Sequence, residues 1–250
     1  MTQTNTISKL ADELEHRQIK ELGDRVVGKS RLMALADGEY EKPNSFGAGK
    51  QMLMGEDPRL PKMPAKPTLL DFFEYRMAPG GSAHLLQSAN LAQKNGLPEK
   101  MVLACLLHDF AVTNFIRSDH GYWGAQMIEP YVDEEVSWAI RYHQALRFYP
   151  DESVGYHYPD NYRRMFGADY KPDDYIEADS HYARKHKWYM SARMICVNDL
   201  YSFDPDVVVN IEQFEDIVGR HFRQPAEGLG NDRSSASHMW RTLIRPANAL

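Results

Sequence analysis

Apolar residues recur every three or four positions through most of the chain, the spacing that places them on one face of an α-helix. No segment of useful length shows the strict alternation that is typical of a half-buried strand, and no internal repeat is present. The pattern predicts helices in residues 82–96, 97–112, 120–132, 133–149 and 183–204. The sequence therefore predicts an all-α fold.

The segments around these helices predict how the chain is divided. Residues 5–27 carry apolar positions at helical spacing among many charges, which predicts an N-terminal amphipathic helix. Residues 43–67 are rich in proline and glycine and predict an irregular connector. We therefore expect an N-terminal helix and connector over residues 1–67, a main domain over 68–221, and a C-terminal tail over 222–250 that packs on that domain.

The later part of the chain gives weaker patterns. Residues 150–180 are rich in Tyr, Pro, Asp and Gly, which predicts a long structured loop that could close over a site as a lid. A further helix is predicted over residues 205–220. After residue 222 we expect loosely ordered chain, followed by an apolar patch around Trp240.

The helix predicted over residues 97–112 is apolar almost all round, which indicates a central buried helix, yet His108 and Asp109 interrupt it. A carboxylate buried alone is costly and is normally paired, neutralised or bound to a metal ion. The same residue types lie on or beside the apolar stripes of other helices: His84, His120, His143 and Asp199. For any one histidine the alternative is an ordinary hydrogen-bonded core residue. Four histidines and two aspartates on successive buried helices indicate a metal site in a bundle core.

The chemistry of this residue set favours two metal ions. Imidazole and carboxylate suit iron, manganese, zinc and similar metals, while the lack of cysteine ligands argues against a structural zinc site. Adjacent residues of a helix point about 100° apart, but a metal ion at the helix surface can still bind both His108 and Asp109. Asp109 has two oxygens and can bridge two ions. Six ligands with a bridging carboxylate leave positions open for water, O₂ or substrate.

Four stretches carry a more specific resemblance: HLLQSANLAQKNG, EKMVLACLLHDF, DHGYWGAQMI and YHQALRFY. The order His84, His108–Asp109, Asp199 resembles the H…HD…D signature of the HD-domain superfamily of metal-dependent phosphohydrolases. With the two further histidines, the successive ligand spacings of 24, 12, 23 and 56 residues resemble those of the HD-type mixed-valent diiron oxygenases, notably the hydroxyphosphonate-cleaving type. The segment after the HD pair is shorter than in that group. The resemblance covers about residues 75–205.

The resemblance implies an HD-domain helical bundle with an Fe(II)/Fe(III) pair in its core. One iron would be held by His84, His108, Asp109 and Asp199. The other would be held by Asp109, His120 and His143. Arg147 stands where the family has a lysine that holds the anionic group of the substrate, with a surface ion pair as the alternative. Tyr75 is the candidate for a tyrosine that occupies an iron site before the substrate arrives, with ordinary packing as the alternative.

Three departures from the phosphonate enzymes bear on the substrate. Val112 takes the place of a histidine, and Cys196 takes the place of a basic residue, with Arg193 one turn earlier. A Ser- and Gly-rich substrate motif is replaced by the Tyr/Pro segment of residues 155–176. The identity of the substrate, whether phosphonate, carboxylate or another anion, therefore stays open.

The function implied by the resemblance is that of an O₂-dependent diiron oxygenase. It would oxidatively cleave a C–C or C–P bond of a small polar, anionic, hydroxylated substrate. The alternative is a dimetal-dependent HD phosphohydrolase that acts on a small phosphate ester or nucleotide with other divalent metals, because the six ligands alone do not choose the metal. A non-catalytic, metal-stabilised interaction module is the third class. Gln87, three residues after His84 as in the oxygenases, and the basic residue at position 147 favour the oxygenase.

Composition narrows the partners and the compartment. Hydrophobic residues make up 43% of the 250, and the net charge of -6 does not suit a nucleic-acid partner. No apolar run reaches the roughly 18 residues of a membrane span, and the N-terminus lacks a secretory signal. Cys105 and Cys196 both lie in apolar helical patterns and are expected to be reduced. We expect a cytoplasmic enzyme whose partners are a small molecule and O₂; a homodimer is compatible with the sequence.

Overall fold

The computed structural model describes residues 25–26, 44–45, 60–77, 79–116, 118–167, 169–199, 202 and 204–246. The chain divides into two compact units, residues 1–59 with 245–250 and residues 60–244. In the first unit, β1 (Arg25–Val26) pairs antiparallel with β2 (Asn44–Ser45). The helix predicted over residues 5–27 lies outside the described residues except at its end, where β1 stands instead.

The second unit is built from helices. Along the chain these are α1 (Leu69–Tyr75), α2 (Pro79–Lys94), α3 (Glu99–Leu107), α4 (Phe110–Asn114), α5 (His120–Ile128), α6 (Glu134–Leu146), α7 (Asp160–Phe166), α8 (Asp174–Arg184), α9 (Tyr189–Asp199), α10 (Glu215–His221) and α11 (Ser237–Ile244). Short 3₁₀ helices lie at Glu129–Tyr131, Glu152–Val154 and Ile211–Phe214. No strand occurs in the described part of residues 60–244, and the all-α prediction is confirmed. Among the described helices, none is long and apolar enough to cross a membrane.

Helix α3 is the central helix of the bundle. Every residue from 101 to 107 is buried, as the continuous apolar run predicted, and α3 packs against α2, α6, α9 and α10. The predicted end of α2 at Gly96 is also confirmed. Gly96 has a φ of +71°, and the Leu97 N–H donates to the Ala92 carbonyl at 3.1 Å, which closes the last turn of the helix. After this turn the chain continues into α3, which begins at Glu99.

The segment predicted as a loop over residues 150–180 is partly helical. It contains the 3₁₀ turn at Glu152–Val154, all of α7 and the first part of α8. The prediction failed because aromatic residues of the segment, Tyr162, Phe166 and Tyr170, pack on one another and on Phe148, which precedes the segment. The helix predicted over residues 183–204 starts later than expected, because α8 runs to Arg184 and α9 begins at Tyr189.

The end of the second unit packs against its beginning. The N–H of Leu229 donates to the carbonyl of Pro67 at 2.8 Å, and Leu229 is buried. Gly228 has a φ of +91°, and a Cβ there would lie 2.6 Å from the Lys66 backbone. Helix α11 then places Trp240 in the core. The expectation of loosely ordered chain is therefore wrong for residues 228–236, because backbone hydrogen bonds and the burial of Leu229 and Ala236 hold them. The apolar patch expected around Trp240 is buried.

Candidate metal centre

The backbone bends at the His108–Asp109 pair. Helix α3 ends at Leu107, His108 keeps helical angles (φ −58°, ψ −40°), Asp109 leaves them (φ −105°, ψ 16°), and α4 begins at Phe110. The sequence predicted one continuous helix through this point, and that prediction is wrong. The break re-aims the Asp109 carboxylate, so that its Oδ2 lies 3.7 Å from Nε2 of His108.

The structure brings all six predicted ligands together in two groups that share Asp109. The first group is His84, His108, Asp109 and Asp199; the second is Asp109, His120 and His143. Within each group the nitrogen and oxygen donor atoms lie within 4.8 Å of one another. The donors come from helices α2, α5, α6 and α9 and from the break after α3. This histidine and aspartate cluster fits a site for two metal ions.

The two oxygens of Asp109 face different groups. Its Oδ2 lies 3.6 Å from Nε2 of His84, on the same side as His108. Its Oδ1 lies 3.1 Å from Nε2 of His120 and 3.4 Å from Nε2 of His143. One carboxylate oxygen is thus directed toward each group of histidines. This is the arrangement that a bridging ligand of two ions requires.

Backbone carbonyls orient three of the imidazoles. Nδ1 of His84 lies 3.0 Å from the Ser202 carbonyl, Nδ1 of His108 lies 2.8 Å from the Cys105 carbonyl, and Nδ1 of His143 lies 2.6 Å from the Ile140 carbonyl. A carbonyl oxygen only accepts, so each Nδ1 carries a proton, and whenever such a ring is neutral its Nε2 presents a lone pair to the centre.

Two of these Nε2 atoms show directly that the cluster suits a cation. Nε2 of His108 and Nε2 of His143 are buried and make no hydrogen bond in the described part of the chain. A buried polar atom without a partner carries a desolvation cost that a metal–nitrogen bond would remove. The donor set therefore fits a metal better than it fits a purely hydrogen-bonded core.

The electrostatics of the cluster lead to the same conclusion. Burial favours the neutral Asp109 carboxyl, but the electrostatic interaction with His108 and the close contacts with His120, His143 and His84 outweigh it and hold the Asp109 pKa well below its usual range. The pKa of Asp199 is also lowered, because the interactions with His108 and His84 outweigh the tendency of burial to raise it. Two carboxylates that stay ionised in a largely buried cluster require positive charge beside them. A metal ion held by these residues would supply it.

His84 and His143 differ in their pKa values when no metal ion is bound. Burial lowers the pKa of His84, but hydrogen bonds and charge from Asp109 and Asp199 raise it to about 10. Burial, reinforced by the charges of His108 and His120, lowers the pKa of His143 to about 4, although Asp109 opposes this. His84 therefore carries a proton that a metal ion at the first group would displace, whereas His143 is already neutral and ready to bind one.

Three side chains that are not ligands hold the cluster in place. The Gln87 amide donates to the carbonyls of Asp204 at 2.7 Å and Val207 at 2.8 Å and accepts from the Asp204 N–H at 2.9 Å. It thereby fixes the chain that follows α9. The Tyr162 hydroxyl donates to Oδ2 of Asp199 at 2.9 Å. The Cys196 thiol donates to the His143 carbonyl at 3.2 Å.

Gln87 can be recognised from the sequence through the family resemblance, whereas Tyr162 is only one of several tyrosines in the segment predicted as a loop. The bond from Tyr162 to Asp199 joins residues 37 positions apart. Neither the periodicity nor the composition of the Tyr/Pro segment carries a signal for that contact. It follows from the packing of α7 beside the end of α9.

The start of α5 has an unusual backbone. Asp119, directly before the ligand His120, has left-handed angles (φ 49°, ψ 37°), a conformation that is uncommon for residues other than glycine and that aspartate tolerates best. The Tyr175 hydroxyl of α8 donates to Oδ1 of Asp119 at 2.7 Å. Helix α8 thus helps to hold the turn that aims His120 at the centre.

Arg147 lies near the cluster. Its guanidinium contacts the ring of Tyr162, whose hydroxyl donates to the predicted ligand Asp199. Its guanidinium carbon stands 4.8 Å from the ring centroid of Phe148, 5.5 Å from that of Tyr162 and 5.7 Å from that of Phe166. The residue is half-buried, and its Nε is buried and makes no hydrogen bond in the described part of the chain. The alternative for Arg147 was a surface ion pair, but no carboxylate among the described residues pairs with it. The contacts of its guanidinium are with aromatic rings.

Among the described residues, no hydrogen bond connects Tyr75 to the cluster. It is half-buried at the end of α1 and packs against the edge of the core. A hydrogen bond with its neighbour Glu74 raises the pKa of the Tyr75 hydroxyl. A role for Tyr75 at a metal ion stays a prediction, with packing as its alternative.

Comparison with known proteins gives one informative likeness. No model of a known protein family matches the chain. The chain is similar to a glycine-betaine-forming 1-hydroxy-2-(trimethylamino)ethylphosphonate dioxygenase of Leisingera caerulea. The two are 30% identical over 76 residues, which is 26% of this chain and 39% of the relative. The match thus spans less than half of the relative's length.

Proposed function

We propose that the protein is an O₂-dependent diiron oxygenase that cleaves a C–C or C–P bond of a small, anionic, hydroxylated substrate. The observation that carries this proposal is the sharing of Asp109 between two groups of imidazole and carboxylate donors. Ligands of this kind, without a thiolate, suit iron. The likeness to a dioxygenase that acts on a hydroxyphosphonate supports the oxidative chemistry.

The two groups differ in how many ligands the protein supplies. The first offers four residues and the second only three, with Asp109 counted in both. The second position therefore keeps more of its coordination sphere for water, O₂ or substrate. When bound, the two irons would supply the activation of O₂ and of the substrate C–H bond. The chain itself excludes bulk water, because His108 and His143 are fully buried and His84 and His120 nearly so.

Arg147 supports an anionic substrate. The Arg147 guanidinium is half-buried and pairs with no carboxylate among the described residues, and a guanidinium of this kind attracts an anion. The ring centroids of Phe148, Tyr162 and Phe166 lie 4.8, 5.5 and 5.7 Å from its guanidinium carbon. A guanidinium can bind two oxygens of one carboxylate or phosphonate through two of its N–H groups. We propose that Arg147 holds the anionic end of the substrate beside the metal pair.

The test is to purify the protein without oxygen, determine its metals, and record EPR spectra before and after partial oxidation. Two irons per chain, a mixed-valent signal that changes when a hydroxyphosphonate or hydroxycarboxylate is added, and substrate-dependent O₂ uptake would support the oxygenase. Manganese, nickel or zinc, together with phosphate-ester hydrolysis and no O₂ uptake, would establish the HD phosphohydrolase instead. The Asp109→Asn variant serves as the control, because background chemistry would persist in it.

A further inference from the structure

Tyr162 makes the one hydrogen bond from the Tyr/Pro-rich segment to a metal ligand among the described residues. It lies on α7, is only 5% exposed, and donates its hydroxyl proton to Oδ2 of Asp199 at 2.9 Å. The direction is certain because an ionised carboxylate only accepts. The other oxygen of Asp199, Oδ1, is the one that faces the histidines, 3.1 Å from Nε2 of His84 and 3.7 Å from Nε2 of His108.

The two oxygens of Asp199 therefore have different partners. A carboxylate can bind a metal ion through one oxygen or through both. A hydrogen bond to one oxygen fixes the rotation of the carboxylate plane, so that the other oxygen is already aimed at the metal position before an ion binds. Loss of this orientation weakens metal binding. Such contacts to ligating carboxylates commonly affect metal affinity 10- to 100-fold, on the order of 1.4 to 2.8 kcal/mol.

The ring of Tyr162 is held from several sides, so the position of its hydroxyl is well determined. Its centroid lies 6.0 Å from that of Tyr158, 5.9 Å from that of Phe166 and 6.4 Å from that of Phe148. The Arg147 guanidinium covers one face at 5.5 Å. The same ring thus touches the group proposed to bind the substrate anion and donates to a metal ligand.

We propose that Tyr162 is a positioning residue that keeps Asp199 bound to its metal ion through Oδ1 alone and so sets the affinity and ligand geometry of the first metal position. This inference rests on the proposed function only in requiring two bound metal ions. The oxygenase reaction is not needed for it. Tyr162 acts through Asp199 and does not itself touch the metal.

The test compares Tyr162→Phe with Tyr158→Phe in the full chain. Phenylalanine at 162 keeps the ring and its packing and removes only the hydroxyl. Tyr158 belongs to the same aromatic group and is half-buried, but it makes no hydrogen bond to a ligand in the described part of the chain. Binding of Mn²⁺ alone is followed by anaerobic calorimetry and by the EPR spectrum of the bound ion.

In the wild type and in Tyr158→Phe we expect two sites with unchanged affinities. In Tyr162→Phe we expect one site to weaken about 10- to 100-fold and its Mn²⁺ spectrum to change, while the other site keeps its affinity. Equal affinities and spectra in all three proteins would overturn the proposal. Equal losses in both variants would overturn it too, because they would mean that general packing, and not the hydroxyl, supports the site.

A second measurement decides the matter if Tyr162→Phe does not fold. In a crystal structure of the wild-type protein with Mn²⁺, Oδ1 of Asp199 should bind the ion while Oδ2 keeps the Tyr162 hydroxyl. Chelation by both oxygens, or a Tyr162 turned away, would overturn the proposal. A wild type that binds two metals but takes up no O₂ would overturn the oxygenase and leave the role of Tyr162 standing.

Discussion

Oδ1 of Asp109 lies 3.1 Å from Nε2 of His120, although the two residues are separated by a helix break, the short helix α4 and a left-handed turn. This contact joins the HD pair to the second group of histidines. It exists because Asp109 leaves helical geometry and Asp119 re-aims the start of α5. Two backbone irregularities of the described residues, at Asp109 and Asp119, therefore help to bring the two donor groups together.

Asp109→Asn should abolish the binding of both metal ions. Asparagine is uncharged and offers a single oxygen, so it cannot supply one to each group. His120→Ala should remove only the second ion, because the first group keeps its four ligands. Metal content by mass spectrometry of each purified variant checks this. Equal metal loss in the two variants would contradict a bridging role for Asp109.

Gly121→Ala should destabilise the protein and weaken metal binding, whereas Gly124→Ala should not. A Cβ at 121 would lie 2.9 Å from the Arg141 carbonyl and 3.0 Å from that of Ile140. It would push α5, and with it His120, away from α6 and His143. We expect a loss of about 1–3 kcal/mol in unfolding free energy, as for other overpacked sites.

Gly124 is the matched control on the same helix. A Cβ there would find its nearest neighbours at 3.6 Å, an ordinary van der Waals distance. Alanine is also the better helix former, so stability should be unchanged or rise by up to about 1 kcal/mol. Urea unfolding of both variants measures the difference. Similar losses in the two would show that the α5–α6 contact is not as close as described.

Trp240→Ala should cost about 3–5 kcal/mol of unfolding free energy. The indole is fully buried, its centroid lies 4.6 Å from that of Phe72 and 5.4 Å from that of Phe110, and its N–H donates to the Met127 carbonyl at 3.0 Å. His238→Ala, at an exposed position of the same helix, should change stability by no more than about 0.5 kcal/mol. Small effects at both positions would mean that α11 is dispensable to the core.

Glu99 should contribute stability that is lost in acid. The Arg220 guanidinium donates to both of its oxygens at 2.8 and 2.6 Å, His221 lies at 3.0 Å, and together they lower the Glu99 pKa to about 2 from an ordinary value of about 4.5. A group whose pKa is lower in the folded state stabilises the protein above its unfolded pKa. That contribution therefore disappears as the pH falls from about 5 to about 2.

Urea unfolding of the wild type and of Glu99→Gln between pH 7 and pH 3 checks this. The two curves of stability against pH should converge toward acid, since the variant lacks the titrating group. Glu227→Gln is the control, because Glu227 is exposed and makes no ion pair among the described residues. Curves that stay parallel down to pH 3 would show that the ion pair does not form in solution.

Arg147→Gln should raise the KM of any substrate that supports O₂ uptake by about 10- to 100-fold, the effect of losing about 1.5–3 kcal/mol of charge-assisted hydrogen bonding. Metal content should not change, because Arg147 does not contact a ligand directly. Arg163→Gln is the control, since Arg163 is exposed and pairs with Asp160 at 3.8 Å. A KM that changes equally in both variants would reject Arg147 as the anion-binding group.

The helical class and the candidate ligands can both be predicted from the amino-acid sequence alone. Helical spacing is a local property, so the bundle, the buried α3 and the end of α2 at Gly96 could be predicted without knowledge of distant contacts. The six ligands could be picked out because histidine and aspartate are costly on an apolar stripe unless something binds them.

How those residues meet depends on the packing of the helices, which the sequence pattern does not reveal. The successive ligands lie up to 56 positions apart, and which oxygen of Asp109 faces which histidine depends on a helix break that an apolar run does not reveal. The Tyr/Pro segment looked like a loop because its stabilising contacts are between aromatic rings and to distant residues. Tyr162 meets Asp199 and Arg147 only after α7 has packed on the bundle, and no local pattern encodes a contact of that kind.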